Sequence, residues 1–181
     1  MTLAEALLSV LLTRPVFKED AKPELVEAKA AQLEGIATAI VEANKPPKWV
    51  NELDWLALVT AIGEEETHWS LRIGRNECKP WECDPRWQRG VIVEHRAVGY
   101  WQTQRNNHNA AVWAQLPSST RLQADNANAM LRRGLWRCQR SGVPWLQATI
   151  NGYAGVRCDA DWPGLGKRIA TWKLIRKKLA R

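Results

Sequence analysis

A mainly α fold with one small irregular or short β region is what this sequence predicts, on three observations. Apolar residues recur at three- and four-residue spacing along most of the chain, the rhythm of helices with one buried face. Proline, glycine and capping residues fall at the ends of those segments rather than inside them. The rhythm stops between about 70 and 98, a stretch rich in Gly, Pro, Cys and charge. The chain has 181 residues, 45% hydrophobic and 25% charged. That is ordinary for a globular protein and enough for a core without staples, and it argues against a disordered or fibrous chain. No apolar run approaches the ~20 residues needed to cross a bilayer.

Residues 2–13 read as a short apolar helix, with Thr2 and Glu5 spaced as a capping box. This start lacks a basic n-region, and Glu5 interrupts it, so it reads as a helix rather than a signal peptide. A polar connection, 14–22, leads to a second helix over 23–43. Pro23 stands at its first position, and Leu25, Val26, Leu33, Ile36, Ala37 and Ile40 form its stripe. Lys45-Pro46-Pro47 ends it. Residues 1–48 are therefore expected to form an accessory helical hairpin, and 49–181 the main domain.

Asn51 is placed to cap a third helix over 52–69. Within the irregular stretch, Val91-Ile92-Val93 suits one short strand. Helical segments follow near 107–116, 119–140 and 144–152, and a last helix near 164–180. On that last helix Leu165, Ile169, Trp172, Ile175 and Leu179 share a face, while Lys167, Arg168, Lys177 and Lys178 lie largely elsewhere.

Charge is unevenly spread. Residues 1–66 carry net −6, 67–131 net +3 and 132–181 net +10. The basic C-terminal third suits an anionic partner. The chain has 11 Trp against one Phe and two Tyr. Trp55, Trp136, Trp145 and Trp172 sit in helical apolar patterns and are expected in the core. Cys78, Cys83, Cys138 and Cys158 make an even count, which suits two disulfides in any of three pairings. Only Cys78 and Cys83 are close, and no two His are four residues apart, so no metal site is expected. No cofactor motif is present: Gly164 and Gly166 follow no strand. The Lys and Arg residues do not interleave with aromatics as a nucleic-acid groove would want, so no nucleic-acid partner is expected.

The third helix holds the most informative residue. At 100° per residue, Trp55, Leu58, Val59, Ile62 and Trp69 share one arc, and Glu66 lies about 40° from Ile62, inside it. Glu65 falls at the edge of the arc, and Glu64 points away. A carboxyl group on an apolar stripe is costly unless it is paired, protonated or opens into a cleft.

Ala61-Ile62-Gly63-Glu64-Glu65-Glu66-Thr67-His68-Trp69 resembles the catalytic-helix motif of soluble lytic transglycosylases and goose-type lysozymes, in the lysozyme-like superfamily. By this match Glu66 is the catalytic glutamate, Thr67 stands at the family's Ser place and Trp69 at its aromatic place. Ala97-Val98-Gly99-Tyr100-Trp101-Gln102 is similar to the Gly-Leu-Met-Gln segment that lines the family's sugar cleft. Ile150-Asn151-Gly152-Tyr153-Ala154-Gly155 is similar to its Tyr-Asn-Ala-Gly segment, with Tyr153 the cleft tyrosine and Asn151 second. The likeness covers about 52–181; the Cys78–Cys83 insertion, Cys158 and the N-terminal hairpin depart from the simplest members and resemble cysteine-bearing bacterial or phage variants.

The resemblance implies a lysozyme-like fold and cleavage of the β-1,4 bond between N-acetylmuramic acid and N-acetylglucosamine in peptidoglycan. Glu66 would protonate the leaving oxygen and then accept the proton of the C6 hydroxyl, giving a 1,6-anhydro product. A second carboxylate across the cleft, Asp84 or Glu94, would make the enzyme a hydrolytic muramidase instead. A non-catalytic glycan-binding module on the same fold is the remaining alternative. Trp69, Tyr100 and Trp101 are expected to stack on sugar, and Gly99, Gln102, Asn151 and Tyr153 to line the cleft. The partners implied are peptidoglycan strands and, through the basic last helix, anionic wall polymer or lipopolysaccharide. The protein is expected as a monomer acting in the periplasm or wall, delivered by a phage or carrying a leader trimmed from this sequence.

Overall fold

The computed structural model describes residues 1–14, 20–74, 77–79, 81, 83, 85–89, 91–95, 97–104 and 109–181, with the side chains of 85 and 92–95 outside the description. The chain is mainly helical. Helices α1 (Leu3–Leu12) and α2 (Val26–Ala43, entered through a 3-10 turn at Pro23–Leu25) form the front hairpin. Then come α3 (Glu52–Thr67) and the single turn α4 (Leu71–Gly74). Strand β1 (Pro85–Gln88) pairs antiparallel with β2 (Val91–His95), and β3 (Ala97–Val98) with β4 (Thr103–Gln104). A 3-10 segment (Trp113–Ser118) leads to α5 (Thr120–Cys138), α6 (Trp145–Tyr153) and α7 (Pro163–Leu179). No described helix is long and apolar enough to cross a membrane.

The helix ends follow local chemistry. Thr2 and Glu5 form the reciprocal capping box expected of them. The Asn51 side chain accepts from the amides of Leu53 and Asp54, and Ser119 caps α5 through the amide of Leu122. The expected helix near 107–116 appears instead, over its described part, as the 3-10 segment, which contains Pro117; residues 105–108 are outside the description.

Helix α3 is the centre of the molecule. Every residue from Trp55 to Glu64 is buried, and α5, α6 and α7 pack around its apolar arc. The front hairpin contributes side chains to this core. Leu7, Leu11, Leu33, Ile36 and Ile40 belong to the same core cluster as Trp55, Leu58, Trp101 and Leu131. The Lys-Pro-Pro stretch follows the end of α2 at Ala43. A hairpin with a broad apolar face has to cover it, and the nearest cover is the rest of the chain.

Both disulfides form, Cys78–Cys83 and Cys138–Cys158. The second joins the end of α5 to the loop after α6, where Gly134 and Gly152 let the helices touch: a Cβ on Gly152 would lie 2.2 Å from the Gly134 carbonyl oxygen. Trp55 is fully buried, and Trp145 and Trp172 pack against the core, as expected. Trp136 is not in the core: it is 73% exposed on the outer side of α5. Its spacing matched a stripe that the chain covers with α6 only on the Gly134 side.

Candidate functional site

Helix α3 ends one residue after Glu66, and two non-glycine residues then turn left-handed, His68 at φ 47° and Trp69 at φ 55°. Each costs about 1 kcal/mol without support. The support comes from α2. Lys29 donates to the Trp69 carbonyl oxygen, and the Gln32 amide donates to it at 3.0 Å. Lys29 also pairs with Asp20 at 2.9 Å, and the same Asp20 oxygen accepts from the Leu71 amide. Burial holds the Lys29 amine below its ordinary pKa, while Asp20 pulls the other way. The front hairpin thus sets the backbone direction just beyond the proposed catalytic glutamate.

The Gly99–Gln102 segment is fastened to α3. The Thr67 hydroxyl donates to the Tyr100 carbonyl at 3.0 Å, and the Trp101 indole donates to the Val59 carbonyl at 2.9 Å. The Tyr100 amide donates to the Gln123 side chain at 2.9 Å. Gly99 sits at φ 70°, where a Cβ would press within 2.3 Å of that same Gln123 oxygen, so glycine suits the position both in torsion and in space. Gly63 has a similar spatial role. A Cβ there would lie 2.3 Å from the Trp69 ring and 2.9 Å from the Trp101 nitrogen.

These contacts correct the stacking roles. Trp69 is 2% exposed and Trp101 fully buried, with Tyr100 beside them. Trp69 meets Trp101 edge to face at 5.5 Å and Tyr100 at 5.9 Å, and Tyr100 meets Trp101 at 6.2 Å. The three rings pack against one another, leaving no face open to a sugar. Near Glu66 they stiffen the wall behind the site.

Asn151 is corrected in the same way. It is fully buried, and its amide donates to the carbonyls of Cys158 (2.9 Å) and Ala160 (2.8 Å) while its oxygen accepts from the Trp162 indole (2.9 Å). It holds the loop into α7 and does not reach the cleft. Its effect is indirect: Arg168 lies over the Trp162 ring at 5.0 Å.

Glu66, Gln102 and Tyr153, one from each resemblance segment, do come together. With Gln104, Met130, Ala154 and Arg168 they line a cavity of about 270 Å³. The Gln102 amide donates to the Gly99 carbonyl at 3.0 Å and lies 3.7 Å from the Cys83 sulfur, which brings the first disulfide to the rim. The Tyr153 hydroxyl donates to the Trp101 carbonyl at 2.5 Å. Burial first, and the Glu66 charge second, push that hydroxyl well above the ordinary tyrosine range, with Arg168 opposing, so it remains a neutral donor.

Arg168 was not foreseen in the site. One of its terminal nitrogens meets Glu66 Oε1 at 2.5 Å, and another donates to the Gly164 carbonyl. Its Nε is buried without a partner among the described residues. Arg168 was expected with the basic face of the last helix, and that face does not read as an inward-turned residue. Lys spacing in the sequence carries no sign of the pairing.

The other two glutamates go elsewhere. Glu65 accepts from the Thr171 hydroxyl at 2.5 Å. Glu64, expected to face away from the core, is 3% exposed and bound by Arg14 through two nitrogens at 2.5–2.9 Å. The correction follows from α1: once the front hairpin packs on α3, the polar side of that helix has no water to face. Of the proposed second carboxylates, Asp84 lies outside the described residues. Glu94 falls in β2, with its side chain outside the description. Among the described residues no group of His, Cys, Asp and Glu is arranged to hold a metal ion.

On α7 the expected apolar face closes the core through Leu165 and Ile175, with Ile169, Trp172 and Leu179 packed against it. Arg176 pairs with Asp54, and Lys178 donates to Thr13. Lys167, Lys173 and Lys177 remain exposed.

Comparison with family models, with curated proteins and with solved structures finds no match to this chain.

Proposed function

We propose that the cavity over Glu66 is the cleavage site of a lysozyme-like, peptidoglycan-degrading enzyme, with Glu66 as general acid and base. The observation that carries this reading is the convergence on one cavity of Glu66, Gln102 and Tyr153, from three segments that resemble the lytic transglycosylase motifs in order and spacing. A carboxyl group in such a cavity can pass a proton to a glycosidic oxygen. Its Oε1 is held by Arg168, so proton transfer falls to Oε2. Gln102 offers its amide oxygen and Tyr153 its phenol oxygen, with the phenol proton given to the Trp101 carbonyl, as acceptors that orient N-acetyl N–H groups beside it. With a single glutamate, the C6 hydroxyl of muramic acid serves as nucleophile and the product is the 1,6-anhydro sugar. Substrate positioning supplies what a second carboxylate would otherwise do.

The muramidase reading needs Asp84 or Glu94 across the cavity. The binding-module reading draws on the Arg168 contact, which occupies one oxygen of the proposed acid. Digestion of purified peptidoglycan by wild type and Glu66→Gln, followed by mass spectrometry, separates the three. Anhydro-muropeptides from wild type alone support the transglycosylase, and new reducing ends support the muramidase. Full activity in Glu66→Gln overturns the site assignment, and an inert wild type leaves the binding module. Wall-facing action, by phage delivery or export, belongs to this proposal, as does contact of the exposed α7 lysines with an anionic wall or lipopolysaccharide.

A further inference from the structure

Helix α5 carries a second surface beside the proposed site. Its inner side reaches the cavity through Met130, and one turn away Asn126 donates to the Thr103 hydroxyl. At 100° per residue, Ala129, Arg133 and Trp136 fall on one adjoining stripe, Arg133 lies about 60° from Met130, and Arg140 follows in the turn just past the helix end. Ala129, Arg132, Arg133 and Trp136 line a shallow depression of about 330 Å³. The Trp136 indole, in the last turn of α5, is 73% exposed. Residues 132–140 hold four arginines and no acidic residue. One terminal nitrogen of Arg133 is buried with no hydrogen-bond partner among the described residues, so the guanidinium is not tied down by an ion pair there.

We infer that this stripe is an extension of the glycan site, binding the carboxylate-bearing strand as it leaves the Glu66 cavity. The indole face takes a sugar ring, and the guanidinium forks of Arg133 and Arg140 take carboxylates of the muramic or stem-peptide groups. Charge complementarity and continuity along α5 select that occupant. A single-stranded nucleic acid would also seek arginine and tryptophan, but it stacks successive bases on several rings, and this stripe offers one. This inference rests on the peptidoglycan reading for the identity of the polymer.

The test uses the full chain carrying Glu66→Gln, so that the polymer survives, and soluble uncrosslinked glycan strands as probe in titration calorimetry. Trp136→Ala and Arg133→Gln should each weaken binding by about tenfold, the loss expected of an anchoring interface residue, with the melting temperature unchanged because Trp136 supports no core contact. Strands whose carboxylates are amidated should bind about as weakly to the parent protein as native strands bind to Arg133→Gln. Unchanged affinity in both variants, no binding by the parent, or tighter binding of single-stranded DNA than of glycan would each overturn the inference. Digestion assays on the corresponding proteins with native Glu66 separate the two claims. Cleavage by wild type with no effect of Trp136→Ala on strand affinity sinks the stripe alone. Strand affinity lost in Trp136→Ala, with no cleavage by wild type, sinks the enzyme alone.

Discussion

Glu64 and Glu66 stand two residues apart on α3, and each meets an arginine from a distant part of the chain, yet they do different work. Glu64 is 3% exposed and gripped by Arg14 through two nitrogens, with both oxygens used. Glu66 is 21% exposed, keeps one described contact to Arg168, and faces a cavity. The first pair fastens the front hairpin to the central helix. The second leaves an oxygen free to act on a ligand. The same ion-pair chemistry is sealed in the core at Glu64 and open to a cavity at Glu66, and on the proposed function that difference separates a structural carboxylate from a reactive one.

The largest effect should come from Glu66→Gln, which keeps the shape and removes the transferable proton. Peptidoglycan cleavage should fall by at least about 100-fold, the lower end for a general acid, with little change in melting temperature. Glu64→Gln should do the reverse, and a Glu64→Gln enzyme as inactive per folded molecule as Glu66→Gln would erase the distinction between the two.

Next in size is Arg14→Ala. It strands a buried carboxylate, and urea denaturation should show a loss of about 3 kcal/mol. A loss under about 1 kcal/mol, the range of exposed pairs, would mean that the hairpin is not anchored there. Gly63→Ala should cost about 1–3 kcal/mol by pushing on Trp69 and Trp101. If it is neutral, those rings do not press on α3 as described. Arg168→Gln should be milder, about 1 kcal/mol, because its pair is partly wet. A loss as large as that of Arg14→Ala would make the two pairs equivalent.

The smallest effect concerns pH. Burial lowers the folded-state pKa of Lys29. Between that value and the ordinary lysine value of about 10.5, the unfolded chain binds the extra proton, so this group's contribution to stability rises with pH across that window. Melts of wild type and Lys29→Met at pH 7 and pH 10 isolate it. A difference between the two proteins that does not change with pH would show that Lys29 stays charged in the folded state.

Much of this was legible in the chain. The capping box at Thr2, the cap at Asn51 and the stop at Lys45-Pro46-Pro47 act over a few residues, so local sequence specifies them. Glu66 was legible because helical periodicity put a carboxylate on an apolar arc. Trp69, Trp101 and Asn151 misled because the same residue types suit a sugar cleft and a core. Only packing tells which faces are used, and here ring met ring and amide met carbonyl.

The sequence by itself determined the caps of α1 and α3, the stop of α2, which face of α3 is apolar, and that Glu66 lies on it, since those properties are periodic and short-ranged. The tertiary structure decided that the front hairpin shares the core, that Arg14 buries Glu64, and that Arg168 turns inward to meet Glu66 across 102 residues of chain. An ion pair between distant segments leaves no periodic trace. It depends on which helices touch, and burial of the whole apolar surface settles that.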